Sequence, residues 1–217
     1  MSDMAGTKAL ALEDFARARG QAFLRLDYQG HGESSGKFED GRIGLWADDA
    51  AAAVAELTEG PQVLVGSSMG GWIMLLAALA QPERIAGLVG IAAAPDFTED
   101  LIWAAASAAQ RKAILEDGVY REPSPYGETP YAITRTLIED GREHLLLRRP
   151  IPLTCPVRLI HGLEDDDVPW DLSLKLGAAL DSEDVETILV KGGDHRLSGP
   201  RDLARLKRVV GGLLDSL

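Results

Sequence analysis

At 217 residues, with 46% hydrophobic and 26% charged side chains, the chain is long enough for one α/β domain with a buried core and one insertion, and too short for two independent domains. Acidic residues outnumber basic ones 34 to 22, and the formal charge of −12 argues against nucleic acid or an anionic membrane as the main partner. A single cysteine, Cys155, precludes an intrachain disulfide and gives no support to a zinc site.

No apolar run approaches the length needed to cross a bilayer, and the opening Met1-Ser-Asp-Met-Ala-Gly-Thr-Lys8 lacks the basic start and apolar stretch of a secretory leader. The expectation is a cytoplasmic protein with no membrane insertion.

In chain order, a helical pattern over Thr7 to Arg19 precedes an apolar, strand-like run at Ala22 to Leu26. That run empties into the glycine-rich loop Asp27-Tyr-Gln-Gly-His31-Gly-Glu-Ser34. A helix over Ile43 to Glu59 follows, then a strand at Gln62 to Gly66, a helix at Met69 to Ala80 and a strand at Gly87 to Ala92. From Pro95 to Pro152 no convincing strand occurs. Helical stretches near Asp100 to Glu116 and Tyr131 to Leu147 flank a proline-bearing connector, Tyr120 to Tyr131. The alternation resumes with a strand at Val157 to His161, a helix at Trp170 to Leu180, a strand at Glu186 to Val190 and a helix at Pro200 to Leu214.

Strict alternation of this kind specifies a doubly wound, mostly parallel α/β sheet with helices on both faces. Open sheets bind ligands beyond the carboxyl ends of their strands, so a long insertion after a strand is expected to lie there as a helical cap. Residues 1–94 and 153–217 then make one core, and 95–152 the cap.

The strand-like Val63-Leu-Val-Gly66 breaks into Ser67-Ser68-Met69-Gly70 and an apolar helix. A sharp strand-to-helix turn holds its central serine in a strained conformation with the hydroxyl above the sheet, and glycines two positions either side avoid a clash. Ser68 is therefore the candidate nucleophile, with the Met69 N–H as oxyanion donor. A serine hydroxyl needs a base, and the base needs a carboxylate to fix its tautomer.

Of the four histidines, at 31, 144, 161 and 195, His195 alone follows both a plausible acid loop and the last strand, in Lys191-Gly-Gly-Asp-His195. His31 reads as a turn residue near the site, His161 as a hydrogen-bonding group within the acid loop, and His144 as a solvated cap residue. The acid lies in the run Glu164 to Asp167, where spacing to Val168-Pro169 favours Asp165 over Asp166 or Asp167. That run lacks the alternating ligands and central glycine of a calcium loop, so no metal is expected. Leu101, Ile102 and Trp103 could line an acyl pocket, although an apolar helical stripe is more often packing.

With these residues in place, the chain resembles the α/β-hydrolase superfamily. Within it, it more closely resembles the group that contains the mitochondrial palmitoyl-protein thioesterase and acyl-glucuronide esterase, together with its bacterial relatives. The matching motifs are Gly6-Thr-Lys-Ala9, Leu26-Asp-Tyr28-x-Gly-x-Gly-x-Ser34, Val65-Gly-Ser-Ser-Met-Gly-Gly-Trp72, Cys155-Pro-Val-Arg-Leu-Ile-His-Gly162, Asp165-x-x-Val-Pro-Trp170 and Asp194-His-Arg196. The resemblance implies hydrolysis of small-molecule acyl esters or thioesters without a cofactor, with Ser68 as nucleophile, Asp165 as acid and His195 as base. It also implies a strand and oxyanion loop ahead of the Gly6-Thr-Lys-Ala9 helix, where only Met1 to Gly6 stand. A chain without them is expected to catalyse poorly and to leave the strands at Ala22 and Gln62 unpaired. The alternative is a hydrolase-fold protein that binds a ligand or partner without catalysis.

Overall fold

A computed structural model describes residues 3–122 and 130–217. The apolar runs at β1 (Gln62–Ser67), β2 (Ile85–Ile91), β5 (Val157–Gly162) and β6 (Val185–Val190) pair side by side, all parallel, in the order β1-β2-β5-β6. Side chains alternate between the two faces of each strand. Leu88 of β2 and Leu159 of β5 therefore join one apolar cluster with helices α2 (Ile43–Leu57), α3 (Met69–Ala80) and α6 (Asp171–Ala179). Val89, Ile91 and Ile160 point the other way, against Leu12 of α1 (Thr7–Arg19) and Leu206, Val210 and Leu213 of α7 (Pro200–Ser216). Helices cover both faces, as the alternation requires, and each fully buried leucine contributes about 1.5–3 kcal/mol.

Local sequence sets the helix ends. Gly20 closes α1 in the left-handed region at φ 66°, its N–H turned back to Ala16 and Arg17, and Pro200 opens α7 where no intrahelical donor is needed. Helix α3 is apolar almost all round because it lies wedged between β1 and α2; Trp72, Ile73 and Leu75 are fully buried in it.

The expected strand at Ala22 to Leu26 does not form. Residues 21–28 run without strand pairing, and Phe23 and Leu24 stay 40% and 42% exposed. A strand exists through its ladder, and no neighbouring strand stands between this segment and β1 among the described residues. The following loop is held instead by Asp27. Its Oδ1 accepts the Met4 N–H at 2.6 Å, its Oδ2 the Glu33 N–H at 3.1 Å, and its carbonyl the Ser34 hydroxyl at 2.7 Å.

The stretch between β2 and β5 differs from the all-helical expectation. Two π-helical turns, Thr98–Trp103 and Ala113–Asp117, flank the short α4 (Ala108–Lys112), and an antiparallel hairpin of β3 (Val119–Glu122) and β4 (Tyr131–Thr134) precedes α5 (Arg135–Glu143). The helix expected from Tyr131 starts only at Arg135. Tyr131-Ala-Ile-Thr134 pairs as a strand, and the Thr134 hydroxyl then caps α5 by accepting the Leu137 N–H at 3.0 Å. Upstream, Ser107 and Gln110 form a reciprocal capping box that starts a new helix inside the stretch read as continuous. Most of the Tyr120 to Tyr131 connector lies outside the described residues.

Asp96 ties this stretch to the core. It is fully buried, at φ 60°, and its two carboxylate oxygens accept the N–H groups of Leu146 (2.7 Å) and Leu147 (2.9 Å). Trp72 adds a second tie, donating its indole N–H to the His144 carbonyl at 3.2 Å.

Candidate active site

Ser68 sits between β1 and α3 with φ 55° and ψ −124°, a conformation that side-chain-bearing residues rarely adopt. The turn is pinned on both sides. Ser68 donates its N–H to Ile91 O of the neighbouring strand and accepts from the N–H groups of Gly71 and Ala94.

The glycines divide unevenly. A Cβ on Gly66 would lie 2.3 Å from Gly70 O, and one on Gly71 would lie 2.5 Å from the Ala93 Cβ. At Gly70 the nearest atom is the Tyr28 hydroxyl, 3.8 Å away. The sterically required pair is therefore 66 and 71, not 66 and 70, because residue 71 is the one whose inner side faces the crossing segment after β2.

His195 arrives from the loop after β6, with its Nε2 3.1 Å from Ser68 Oγ and its Nδ1 2.8 Å from Asp165 Oδ2. Asp165 lies in the loop after β5, its side chain fully buried, whereas the His195 side chain is 19% exposed. The acid offers only acceptors, so His195 Nδ1–H donates to it, and Nε2 is left to accept the Ser68 hydroxyl proton.

Burial alone would raise the Asp165 carboxyl, but N–H donors from His161, His195 and Val168 outweigh it and hold the pKa far below the ordinary carboxylate range. Of the three acids weighed from sequence, Asp165 is the one bonded to His195; Asp166 and Asp167 stay exposed. Asp165, Asp167 and His195 bring ligand-type atoms within 4.8 Å of one another, yet both Asp165 oxygens already accept N–H donors that a cation would have to displace.

Met69 is the first residue of α3, so its N–H has no acceptor within the helix and stands one residue from Ser68. Two amides near the start of the described chain are engaged: Met4 donates to Asp27 and Ala5 to Asp3.

The three residues read as pocket candidates separate. Leu101 packs beside Ala94, Val168 and Leu172, next to the acid loop, while Ile102 and Trp103 join Ile114, Ile133 and Ile138 inside the stretch between β2 and β5. Two guanidinium groups lie over the Trp103 ring, Arg142 at 4.7 Å and Arg111 at 5.2 Å from its centroid. His31 is buried among Tyr28, Phe38 and Trp46, and burial pulls its pKa down. His144, read as solvated, is half-buried: its Nδ1 donates to Asp140 O at 2.8 Å and its ring abuts Gly44.

Sequence reasoning passes over two further groups. Lys8 donates from Nζ to the carbonyl of Arg196, one residue past His195, and burial pulls its ammonium pKa down against the opposing charge of Asp194. It stands in the Gly6-Thr-Lys-Ala9 motif, which was the available signal. Asp96 carries no comparable signal, since its partners are fifty and fifty-one positions away.

A parallel sheet wound with helices on both faces, a strained serine at a strand-to-helix elbow, and Ser68, His195 and Asp165 in hydrogen-bonded succession define a serine hydrolase of the α/β type. The chain belongs to the α/β-hydrolase family: the family model described as serine aminopeptidase, S33, matches residues 3–124. The mitochondrial palmitoyl-protein thioesterase ABHD10 of Bos taurus is 42% identical over 223 residues, spanning all of this chain and 71% of that protein. Among solved structures, a hydrolase from Agrobacterium vitis S4 superposes with a TM-score of 0.95 at 41% identity, covering 98% of this chain and 84% of that one. The mouse alpha/beta hydrolase domain-containing protein 10 gives 0.91 at 41% identity, covering 99% and 86%.

The mitochondrial naming of the bovine protein overturns the cytoplasmic expectation. That expectation rested on the opening residues, and a targeting leader is a removable segment on which the fold does not depend. No helix among the described residues is long and apolar enough to cross a membrane.

Proposed function

We propose that this hydrolase cleaves small-molecule acyl esters or thioesters through an acyl-enzyme on Ser68. The observation that carries the reading is the hydrogen-bonded succession from Ser68 Oγ through His195 to Asp165, at 3.1 Å and 2.8 Å, with the serine backbone held at φ 55°. Ser68 Oγ attacks the acyl carbonyl carbon as His195 Nε2 takes its proton, and the oxyanion forms opposite the Met69 N–H. His195 then gives that proton to the leaving oxygen or sulfur as the bond to the acyl carbon breaks, leaving the acyl group on Ser68. Water repeats the attack, with His195 as base, and releases the carboxylic acid. Asp165 keeps His195 in the Nδ1–H tautomer and offsets the imidazolium charge. The sequence needs no cofactor.

The printed name of the bovine relative, a palmitoyl-protein thioesterase, supports an acyl thioester as one substrate type. Residues 95–152 act as the lid in this reading. Asp96 and Trp72 fix that stretch beside the elbow, and Leu101 stands closest to the acid loop through Val168. Ile102 and Trp103 serve its internal packing.

Fluorophosphonate labelling and p-nitrophenyl ester turnover test the assignment. Wild type and Ser67→Ala should label and turn over, and Ser68→Ala should do neither. Labelling that survives in Ser68→Ala, or is lost in Ser67→Ala alone, would overturn it.

A further inference from the structure

Asp165 holds two imidazoles. Its Oδ1 accepts the backbone N–H groups of Asp167 (2.9 Å) and Val168 (2.8 Å), and its Oδ2 accepts from His195 Nδ1 (2.8 Å) and from His161 Nε2 (3.1 Å). His161 stands near the end of β5 and is fully buried. Its Nε2 also lies 3.0 Å from the Val168 carbonyl, and its Nδ1 lies 2.7 Å from Ser173 Oγ on α6.

The tautomer follows from the partners. A carboxylate and a carbonyl both face Nε2 and neither can donate, so Nε2 bears the hydrogen; Nδ1 is then an acceptor, and the Ser173 hydroxyl must be its donor. The result is a continuous chain, Ser173 to His161 to Asp165 to His195 to Ser68, with a histidine and then a serine on either side of one carboxylate.

The two halves cannot do the same work. Ser173 is 1% exposed and His161 0%, so no substrate reaches that hydroxyl, whereas Ser68 and His195 are partly open. What the sealed half can do is orient. Rotation about the Cβ–Cγ bond moves both carboxylate oxygens together, so the two amide donors on Oδ1 and the His161 N–H on Oδ2 oppose it jointly. The His161 N–H is the donor that, besides His195 itself, holds Oδ2, and Ser173 holds His161 in the tautomer that can donate.

We propose that His161 and Ser173 are positioning residues of the hydrolase, acting through Asp165 on the orientation of His195. The proposal rests on the reading of Ser68, His195 and Asp165 as the reacting set.

The test uses the full chain with p-nitrophenyl acetate, comparing wild type, His161→Phe, His161→Gln and Ser173→Ala. His161→Phe keeps a planar ring, somewhat larger than imidazole, but removes the donor and should lower kcat by about 10- to 100-fold, the range for losing one hydrogen bond to a charged group. KM should change by less than about twofold, because neither residue touches substrate. His161→Gln places an amide N–H where Nε2 stood and should recover most of the loss. Ser173→Ala, a milder change, should lower kcat by about threefold or more by releasing the tautomer.

The low-field proton resonance of His195 Nδ1–H should shift or broaden in His161→Phe and Ser173→Ala and return in His161→Gln. A purely structural role would lower thermal stability without moving it. Unchanged kcat in folded His161→Phe, or His161→Gln as impaired as His161→Phe, overturns the proposal. Should His161→Phe fail to fold, Ser173→Ala decides alone, and wild-type kcat there overturns it. Wild-type labelling at Ser68 checks the underlying reading separately; its absence would remove both.

Discussion

Three glycines surround Ser68, and replacing each by alanine should give sharply different results. In Gly66→Ala the new Cβ meets Gly70 O at 2.3 Å, Gly70 C at 2.7 Å and the Gly71 Cα at 2.8 Å, all backbone atoms that cannot rotate away. Ordinary contact lies near 3.5 Å, so β1 and α3 must part by about 1 Å. Overpacking of that size costs about 3 kcal/mol or more. For a chain of this length each kcal/mol moves the thermal midpoint by about 2–4 °C, giving a loss of about 6–12 °C.

The atoms that move are those that aim Ser68, and a misplacement near 1 Å lowers kcat by about a hundredfold. Gly71→Ala should behave alike, because its Cβ would lie 2.5 Å from the Ala93 Cβ and 2.8 Å from the Ala93 Cα. Gly70→Ala meets only the Tyr28 hydroxyl at 3.8 Å, and alanine favours the helix by up to about 1 kcal/mol. It should melt at or slightly above wild type and keep most of its turnover. Scanning calorimetry and p-nitrophenyl ester kinetics on the three variants decide the matter. Gly70→Ala as damaging as Gly66→Ala would refute the steric reasoning.

Lys8→Met should lower kcat by about two- to tenfold, the worth of one hydrogen bond that tethers the His195 loop, with a smaller change in thermal midpoint; unaltered kcat would show that the loop holds itself. Burial, and then the charge of Asp49, push the Tyr28 phenol up to about 12. The folded state thus keeps its proton above the unfolded value near 10, so the contribution is whole below about pH 10 and disappears as pH climbs to about 12, for about 3 kcal/mol in total. Urea unfolding across that window should fall less steeply in Tyr28→Phe, and parallel curves would contradict the assignment. Leu101→Trp fills space beside Val168 and should reduce turnover of long-chain p-nitrophenyl esters more than that of the acetate. Equal losses on both would remove Leu101 from the acyl pocket.

Much of this molecule was legible in its sequence because the relevant signals are local. Apolar runs alternating with helical patterns specify buried parallel strands and their covering helices wherever a neighbouring strand is there to pair with. The elbow announces itself in Gly66-Ser-Ser-Met-Gly70 between a strand and an apolar helix, and the order serine, acid loop, histidine narrows four histidines to His195. Other features depend on which backbone lies opposite which. Ala22 to Leu26 has the composition of a strand but no ladder partner among the described residues, and Tyr131 to Thr134 has helical neighbours yet pairs with Val119 to Glu122. Periodicity reports which face is apolar and is silent on hydrogen-bond partners.

The same limit governs the site. Residue types and spacing single out Ser68, His195 and the run Glu164 to Asp167, because nucleophile, base and acid are defined by their own functional groups. Choosing Asp165 by a hydrogen bond, replacing Gly70 with Gly71 as the required glycine, and joining His161 and Ser173 to the carboxylate all needed the tertiary structure. Those relations hold between atoms brought together by folding, across 30 positions in the case of Asp165 and His195, and no local pattern in a chain encodes the distance between them.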